Sequence, residues 1–442
     1  MNNRLSRIFA SLGPFIGLAF VIGLFSLSNE VRPFFLTGGN FKIILTQTVI
    51  VAVGALGMTL IIVSAGIDLS VGSLVALTSV VAARLVLGMA APELTPADIR
   101  DPAALFSRLR SPQDSVSRFV VEKLSDDGRR ELATPAAAPS AIVRDLNALV
   151  MGPELQAGGR FEGVTLRSGT RVLLAQANRS RDAQARLNRL LLEDAFPGEL
   201  TTLRPFWVVT TLTCVMTILA GGVVGMVNGV TIARFRMLPF IVTLGMMGVV
   251  RGAAKWMGKN QTVNPPASPV NDLMALTDPQ HLFPLPLGVW VALALAVVMA
   301  VVLRRSVFGR YIFAIGSNEA TARLCGIRVQ RQKILIYSLA GLFFGLAGLM
   351  QFSRLTQGDP SVAIGLELDI IAAVVIGGAS LSGGTGSIAG SMIGAFMMAV
   401  LRNGSNQMGW PTYMQEIIIG IVIVLAVGLD KWRQIRSARR TG

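Results

Sequence analysis

The sequence predicts an all-α membrane protein that crosses the bilayer about ten times and carries one extramembranous α/β insert. Of its 442 residues, 52% are hydrophobic and only 15% are charged. Apolar runs of about 16 to 27 residues recur along the chain, and each approaches the length of helix that crosses about 30 Å of hydrocarbon. Short basic segments flank many of these runs. The predicted spans are residues 10–28, 43–64, 74–90, 206–232, 238–257, 286–303, 333–352, 366–379, 387–402 and 413–430.

The first apolar run follows a short basic segment, residues 1–7. A cleaved signal peptide is the competing interpretation of this pattern. The run is long, however, and no small-x-small cleavage motif occurs before Glu30. We therefore predict a retained first span with its N-terminus in the cytoplasm.

Residues 91–205 break the apolar pattern and hold 16 basic and 15 acidic side chains. The stretch SPQDSVSRFVVEKLSDDGRREL has the pattern of a soluble helix opened by Ser-Pro, and FEGVTLRSGTRVLLAQ that of a hairpin turning at Ser168-Gly169. The segment is too long for an ordinary loop, so it is either a small folded insert or partly disordered. The predicted organisation is spans one to three in residues 1–90, the insert in 91–205, and spans four to ten in 206–442.

The charge distribution predicts the orientation of the chain. The net charge of +15 comes almost entirely from outside residues 91–205, which argues against a nucleic-acid-binding domain. With the N-terminus inside and ten crossings, the four cytoplasmic segments hold sixteen Lys or Arg and the short external segments hold seven. This bias follows the positive-inside rule, under which a long near-neutral insert crosses regardless of its charge. Both termini are therefore expected in the cytoplasm and the insert in the periplasm.

The most informative polar stretch is residues 304–333, which holds seven Lys or Arg and one acid, Glu319. Its middle predicts a two-turn helix with both ends marked. Asn318 is a favourable N-cap, Glu319 places a negative charge in the first turn, and Gly326 provides the left-handed stop. The stretch is either a solvated loop that sets topology or a helix on which a cytoplasmic partner docks.

Two glycine-rich polar runs, residues 66–73 and 377–390, follow predicted spans two and eight. By the count of crossings both fall on the cytoplasmic side, and each precedes a helix rich in small residues. Interrupted helices in corresponding halves of a chain indicate a solute path, whereas Gly and Ser alone also permit close helix packing. The candidate path or gate residues in these runs are Asp68, Ser70, Gly72, Gly377, Gly378, Gly383 and Gly384.

Ionisable residues near the apolar runs are few: Asp68, Arg84, Glu367, Asp369 and Arg402. A carboxylate at the centre of a bilayer costs about 3 kcal/mol on insertion scales, so such groups are usually paired, cavity-facing or functional. Asp68 either has such a role or caps the next helix through the amides that follow it. Glu367 and Asp369 head span eight, near the predicted external face, where they are either interfacial, or contact a binding protein, or hydrogen-bond a polyhydroxylated solute.

Several kinds of chemistry are poorly supported. Two cysteines, Cys214 and Cys325, and one histidine, His281, provide neither a disulfide framework nor a metal site. The chain has no G-x-x-x-x-G-K-[ST] motif, and the nearest string, residues 252–260, has the wrong spacing. We therefore predict no enzymatic activity and no ATP hydrolysis on this chain.

Five stretches resemble the permease subunits of bacterial ribose, xylose and galactose type ABC importers. They are GIDLSVGS after span two, LPFIVTLGMMGVVRGAA at 238–254, FGRYIFAIGSNEATARLCGI at 308–327, LELDIIAAVVIGGASLSGGTGS at 366–387, and the closing NGSNQMGWPTYMQEIIIGIVIVLAVGLDKW. The resemblance covers about residues 5–90 and 206–442. It implies a permease of about ten helices in the bacterial inner membrane that carries a monosaccharide by alternating access.

The resemblance also implies partners. A cytoplasmic ATPase that binds ATP and Mg²⁺ would dock on the loop, a periplasmic sugar-binding protein would deliver solute, and a second permease copy would complete a homodimer or pseudo-dimer. No cofactor is expected on this chain. The residues that the resemblance assigns to ATPase coupling are Gly316, Asn318, Glu319, Ala320, Arg323, Gly326 and Ile327.

Residues 91–205 depart from the family pattern, and they either reshape the surface where a binding protein lands or are a passive insertion at a tolerant loop. Two alternatives to a sugar importer stay open. The solute is a nucleoside or another small polar molecule, or the chain is an ion-coupled carrier acting alone. A carrier would need ionisable coupling sites in mid-helix, which are scarce here.

Overall fold

The computed structural model describes residues 3–27, 31–90, 93–134, 139–152, 181–200, 206–266, 268–276, 284–421, 424, 425 and 428. These residues are predominantly helical, as the apolar runs predict. In chain order the helices are α1 (Asn3–Ser26), α2 (Arg32–Phe35), α3 (Gly38–Val63), α4 (Val71–Ala90), α5 (Pro102–Arg110), α6 (Ser115–Lys123), α7 (Asp126–Ala133), α8 (Ser140–Met151), α9 (Arg181–Ala195), α10 (Phe206–Phe235), α11 (Pro239–Gly258), α12 (Leu287–Arg305), α13 (Val307–Ser317), α14 (Glu319–Leu324), α15 (Val329–Leu355), α16 (Leu366–Ile376) and α17 (Ile388–Gln407).

Six of these helices are long and apolar enough to cross a membrane, namely α3, α4, α10, α11, α12 and α15. Helix also occupies the four other predicted spans, as α1, α16, α17 and residues 412–421. Of these, α16 has only 11 residues. The multi-pass helical membrane fold is confirmed, and the number of ten crossings stays a prediction.

Contacts between Cα atoms divide the chain into two compact units. One unit contains residues 1–84, 211–264 and 269–442, and the other contains residues 85–210 and 265–268. The second unit has its own apolar core, in which Leu105, Leu146 and Leu191 are fully buried. The division falls at 84/85 and 210/211, and the insert boundaries of 91 and 205 stay a prediction.

The described part of the insert is helical. The single helix expected across residues 111–132 is wrong, because the chain forms α6 and α7 with a break at Leu124. Asp114 caps the first helix, and the Ser125 hydroxyl accepts a hydrogen bond from the Gly128 N–H and so opens the second. The predicted hairpin at 161–176 lies outside the described residues.

Helix α3 is the centre of the first unit. It is apolar on every side, and its residues from Val49 to Val63 are all buried. A helix that is hydrophobic all round must be enclosed by others. Accordingly, α3 packs against α12, α13, α15, α16 and α17.

Close packing of small residues joins α10 to α15. A Cβ added to Gly221 would lie 2.6 Å from the Gly345 Cα, and one added to Gly225 would lie 2.8 Å from the Gly341 Cα. Glycines four residues apart on both helices let the two backbones approach, which is the usual device of helix association in membranes. Packing is therefore a sufficient role for these glycines, which lie outside the two glycine-rich runs.

Candidate functional site

Helix α14 is a short helix whose two ends are fixed by local hydrogen bonds. The Asn318 side chain accepts a hydrogen bond from the Thr321 N–H at 3.0 Å, which makes Asn318 the predicted N-cap. At the other end Gly326 has φ +82°, and its N–H donates to the Arg323 carbonyl at 3.1 Å. The Ile327 N–H donates to the Ala322 carbonyl, which completes a Schellman motif. The predicted bounds of this helix are confirmed, and its docking role stays a prediction.

Glu319 ties α14 to the start of α15. Its two carboxylate oxygens accept hydrogen bonds from Arg323 at 2.9 Å and from Lys333 at 2.7 Å. The Glu319 side chain is 41% exposed, so solvent screens both ion pairs and each contributes little to stability. Their main consequence is geometric, because one carboxylate orients two cations from neighbouring helices.

One face of α14 is buried and the other is free. Ala322 packs with Ile315 and Val329 in a small apolar cluster, against which Ile327 also lies. On the opposite face Ala320 and Arg323 are exposed, and the Leu324 side chain is 88% exposed. The exposed face of α14 therefore presents one large apolar side chain, Leu324, beside a basic one, Arg323.

Helix α13, which sequence analysis did not predict, connects α14 to the centre of the unit. The Ser306 hydroxyl caps it by accepting from the Gly309 N–H, and the helix ends at Ser317, directly before Asn318. Gly316, in its last turn, lies against the carbonyl oxygen of Val63 at the end of α3. A Cβ added to Gly316 would overlap that oxygen and would lie 2.7 Å from the Gly384 nitrogen.

The residues that meet at this point form what we call the glycine junction: Gly316, Val63, Ala65, Gly383 and Gly384. The Gly384 N–H donates to the Val63 carbonyl at 2.9 Å. A Cβ added to Gly383 would lie 2.6 Å from the Gly316 carbonyl oxygen. The second glycine-rich run and the end of α3 therefore meet the segment that carries α14 through backbone atoms.

The first glycine-rich run forms a compact turn stabilised by Asp68. The buried Asp68 carboxylate accepts from the Ser70 N–H at 2.8 Å, from the Ser70 hydroxyl at 2.6 Å and from the Asn228 amide at 3.4 Å. The Tyr337 hydroxyl donates to the Ile67 carbonyl at 3.5 Å. Asp68 thus fixes the start of α4, as the capping alternative predicts, and it also binds the turn to α10.

We expect Asp68→Ala to lower the stability of the protein by about 2 to 3 kcal/mol, because Ser70 and Asn228 would keep buried donors without an acceptor. Asp68→Asn keeps an acceptor oxygen and should cost less. Burial raises the pKa of the Asp68 carboxyl, against the hydrogen bonds from Ser70 and Asn228. Folding therefore favours the protonated carboxyl. The contribution of Asp68 to the free energy of unfolding falls as the pH rises above 3.8, the ordinary pKa of this group.

Thermal unfolding of the purified protein in detergent, measured between pH 4 and pH 8, tests this expectation. The difference in melting temperature between the wild type and Asp68→Asn should change with pH in favour of the amide at high pH. A constant difference, or an alanine variant as stable as the wild type, would contradict the role given to this carboxylate.

The second glycine-rich run is a tight reversal between α16 and α17. Gly378, Gly383 and Gly384 have φ of +94°, +84° and +75°, a conformation that favours glycine. Ser387 caps α17 by accepting from the Gly390 N–H at 3.1 Å. A Cβ added to Gly377 would lie 2.6 Å from the Ser391 nitrogen, so the two helices are in backbone contact.

The beginning of α16 lies deep in the unit. This helix has 11 residues, or about 16 Å at about 1.5 Å per residue, which is half of a bilayer's hydrocarbon thickness. Ile370 contacts Gly54, in the middle of α3. That Glu367 and Asp369 lie near the external face stays a prediction.

Glu367 and Gly72 are neighbours. A Cβ added to Gly72 would collide with the Glu367 carboxylate and would lie 2.5 Å from the Ala363 carbonyl oxygen. The two residues are far apart in the chain and are brought together by tertiary packing.

A polar cavity of about 240 Å³ lies between α3, α15, α16 and α17. Asp369 and Arg402 form an ion pair in its wall, with side-chain exposures of 2% and 39%. The cavity lies about 18 to 24 Å before Val63 along α3, at about 1.5 Å per residue. Its lining residues are Gln47, Ile50, Val51, Gln351, Arg354, Ala363, Ile364, Leu366, Asp369, Ala399, Arg402 and Asn406.

Of these lining residues, sequence analysis identified Asp369 as a site residue and noted Arg402 as an ionisable group. Gln47, Gln351, Arg354 and Asn406 were missed, although a polar side chain inside an apolar run is a signal that could have found them. The other predicted path residues, Asp68, Ser70, Gly377, Gly378, Gly383 and Gly384, lie in the two turns and not in the cavity.

Comparisons with known proteins agree with this architecture. Residues 195–427 match the family model described as "Branched-chain amino acid transport system / permease component". The chain is 40% identical over 214 residues to the ribose import permease protein of Escherichia coli K12, covering 48% of this chain and 67% of that protein. It is 40% identical over 223 residues to the L-arabinose ABC transporter permease protein of Azospirillum brasilense, covering 50% and 64%. No solved structure gives a significant match.

Proposed function

This chain belongs to the family of branched-chain amino acid transport system permease components, and from that premise we propose that it is the permease subunit of an ABC importer for a monosaccharide. Relatives that carry ribose or L-arabinose, as their names state, support the solute class. The chain is a multi-pass membrane protein and a transporter subunit, and we place it in the bacterial inner membrane with both termini in the cytoplasm.

The observation that carries the mechanism is the connection from α14 to α3. An exposed face with Leu324 and Arg323 stands at one end of this connection, and the glycine junction stands at the other. Because the junction consists of backbone contacts with no flexible side chain between them, a displacement of α13 must move Val63 or Gly384. We propose that a cytoplasmic ATPase docks on α14 and drives alternating access through this path.

The remaining partners follow from the same proposal. ATP and Mg²⁺ bind to the ATPase subunit, and this chain binds no cofactor. A periplasmic sugar-binding protein delivers solute, and a second permease copy completes the translocation unit. The insert is a passive insertion with its own helical core, at a loop that tolerates it.

Reconstitution tests the proposal. The permease, its ATPase and its binding protein are placed in liposomes with ATP inside and labelled ribose, L-arabinose, xylose, galactose or adenosine outside. We expect uptake of at least one sugar that requires all three components and ATP hydrolysis. An ATPase inactivated in its Walker motif is the matched control and should give background uptake.

The second candidate, an ion-coupled carrier, is favoured by one observation, the ion pair of Asp369 and Arg402 inside the helical unit. The same liposomes discriminate between the two functions. Uptake that ignores ATP, or that follows an imposed proton gradient, would reject the importer. Uptake of adenosine in preference to every sugar would keep the importer and change its solute.

A further inference from the structure

Several hydrogen-bonding groups around the polar cavity have no partner among the described residues. The Asp369 carboxylate uses Oδ2 for the ion pair, while its buried Oδ1 accepts no hydrogen bond. Arg402 donates through its terminal nitrogen, while its buried Nε makes no hydrogen bond. Arg354 lines the same cavity and, within the described part of the chain, forms neither an ion pair nor a hydrogen bond.

Amides add further free groups to the wall of the cavity. Gln47 and Gln351 line it and make no side-chain hydrogen bond to any described residue. Asn406 accepts from the Gln415 amide at 2.7 Å through Oδ1, and its side-chain N–H groups have no partner among the described residues. Two of these residues, Asp369 and Gln351, are buried, and buried polar groups are unfavourable unless something satisfies them. Their convergence on one cavity from four helices indicates a polar occupant.

We propose that the polar cavity is the solute site of this permease and that it binds a neutral polyol. In this site Asp369 accepts a hydrogen bond from at least one hydroxyl group of the solute. Arg402 Nε, Arg354 and the amides of Gln47 and Gln351 donate to or accept from the remaining hydroxyls. This inference rests on the proposed function, because it supplies the place where the transported sugar is recognised.

The wall offers hydrogen-bonding groups that suit a neutral polyol. Asp369 and Arg402 offset each other's charge in their ion pair, and the Arg354 guanidinium disfavours a cation. A hydroxyl both donates and accepts, so it satisfies the unpartnered carboxylate oxygen and the unpartnered guanidinium nitrogen alike. The cavity volume of about 240 Å³ lies below the roughly 300 to 1,000 Å³ of pockets for drug-sized ligands, as expected for a smaller solute.

Protection of an engineered cysteine tests the site directly and without the ATPase. Ile364 lines the cavity and its side chain is 73% exposed, so Ile364→Cys in a Cys214→Ala, Cys325→Ser background should react with a methanethiosulfonate reagent. The purified protein in detergent is labelled with and without ribose or L-arabinose at high concentration. Leu324→Cys, on the 88% exposed residue of α14, is the control for non-specific slowing.

We expect one of the two sugars to slow the labelling of Ile364→Cys by at least about threefold and to leave Leu324→Cys unchanged. Asp369→Asn should raise the sugar concentration needed for half-protection by at least about tenfold, since a hydrogen bond to a charged group is lost. Asp359→Asn, which changes a carboxylate outside the cavity wall, should leave that concentration unchanged.

The variant Asp369→Asn with Arg402→Gln separates recognition from folding. It removes both charges together, so it should restore the melting temperature lost in Asp369→Asn but not the protection. Three results would overturn the assignment of the solute site. They are protection of the double variant equal to that of the wild type, protection by gluconate alone, and no protection by either sugar. If neither sugar protects the engineered cysteine but the same protein still imports sugar with ATP, the importer function stands and the proposed solute site is wrong.

Discussion

Gly316→Ala is expected to reduce ATP-driven sugar uptake by at least about tenfold, to the background of the liposomes. The added Cβ would overlap the Val63 carbonyl oxygen and would lie 2.7 Å from the Gly384 nitrogen. Both neighbours are backbone atoms, so neither can rotate away as a side chain does. Overpacking of this kind costs about 1 to 3 kcal/mol where side chains can adjust, and here the glycine junction itself must open.

Gly245→Ala is the matched control for this prediction. Gly245 also lies inside a helix, α11, but nothing lies within 4 Å of an added Cβ. Alanine is a better helix former than glycine by about 1 kcal/mol, so this variant should keep full uptake and unfold at the same or a higher temperature. Full uptake by Gly316→Ala would show that the glycine junction transmits nothing.

Gly326→Val and Glu319→Lys are expected to uncouple the importer. Uptake should fall at least about tenfold while the variants stay in the membrane and the ATPase still hydrolyses ATP. Valine at φ +82° carries a penalty of about 1 to 2 kcal/mol, which is enough to lose the Schellman end of α14. Lysine at position 319 would place a third cation beside Arg323 and Lys333 and remove the carboxylate that orients them.

The matched control for the first of these variants is Gly326→Asn. Asparagine adopts the left-handed conformation more readily than other residues with a Cβ, and nothing lies within 4 Å of a Cβ at this position. Its uptake should therefore stay near that of the wild type. The ratio of sugar imported to ATP hydrolysed is the measurement, and an unchanged ratio in both Gly326→Val and Glu319→Lys would refute the docking role of α14.

The parts of the structure that depend on local chemistry could be predicted from the sequence. Helix α14 begins and ends where Asn318 and Gly326 indicate, because a side-chain cap and a positive φ act within a few residues. The helical membrane fold followed from run length and composition. In the insert the same kind of signal is present, because Ser125 is the N-cap of α7, although a single helix was expected across residues 111–132.

The polar cavity and the glycine junction could not be predicted, because both are made by residues far apart in the chain. Gly72 and Glu367 also meet only through tertiary packing, which hydropathy does not show. Likewise, Gln47 and Gln351 are single polar residues in two apolar runs. Their common direction depends on the antiparallel packing of α3 and α15.

The orientation of α14 is the claim on which the whole account depends, and native Cys325 reports it. This cysteine is exposed at the end of α14, whereas Cys214 is half-buried in α10. Membrane vesicles of both orientations, containing the Cys214→Ala variant, are treated with a membrane-impermeant maleimide. We predict that Cys325 reacts in inside-out vesicles only and that added ATPase subunit blocks the reaction. Reaction in right-side-out vesicles would contradict the proposed coupling to a cytoplasmic motor.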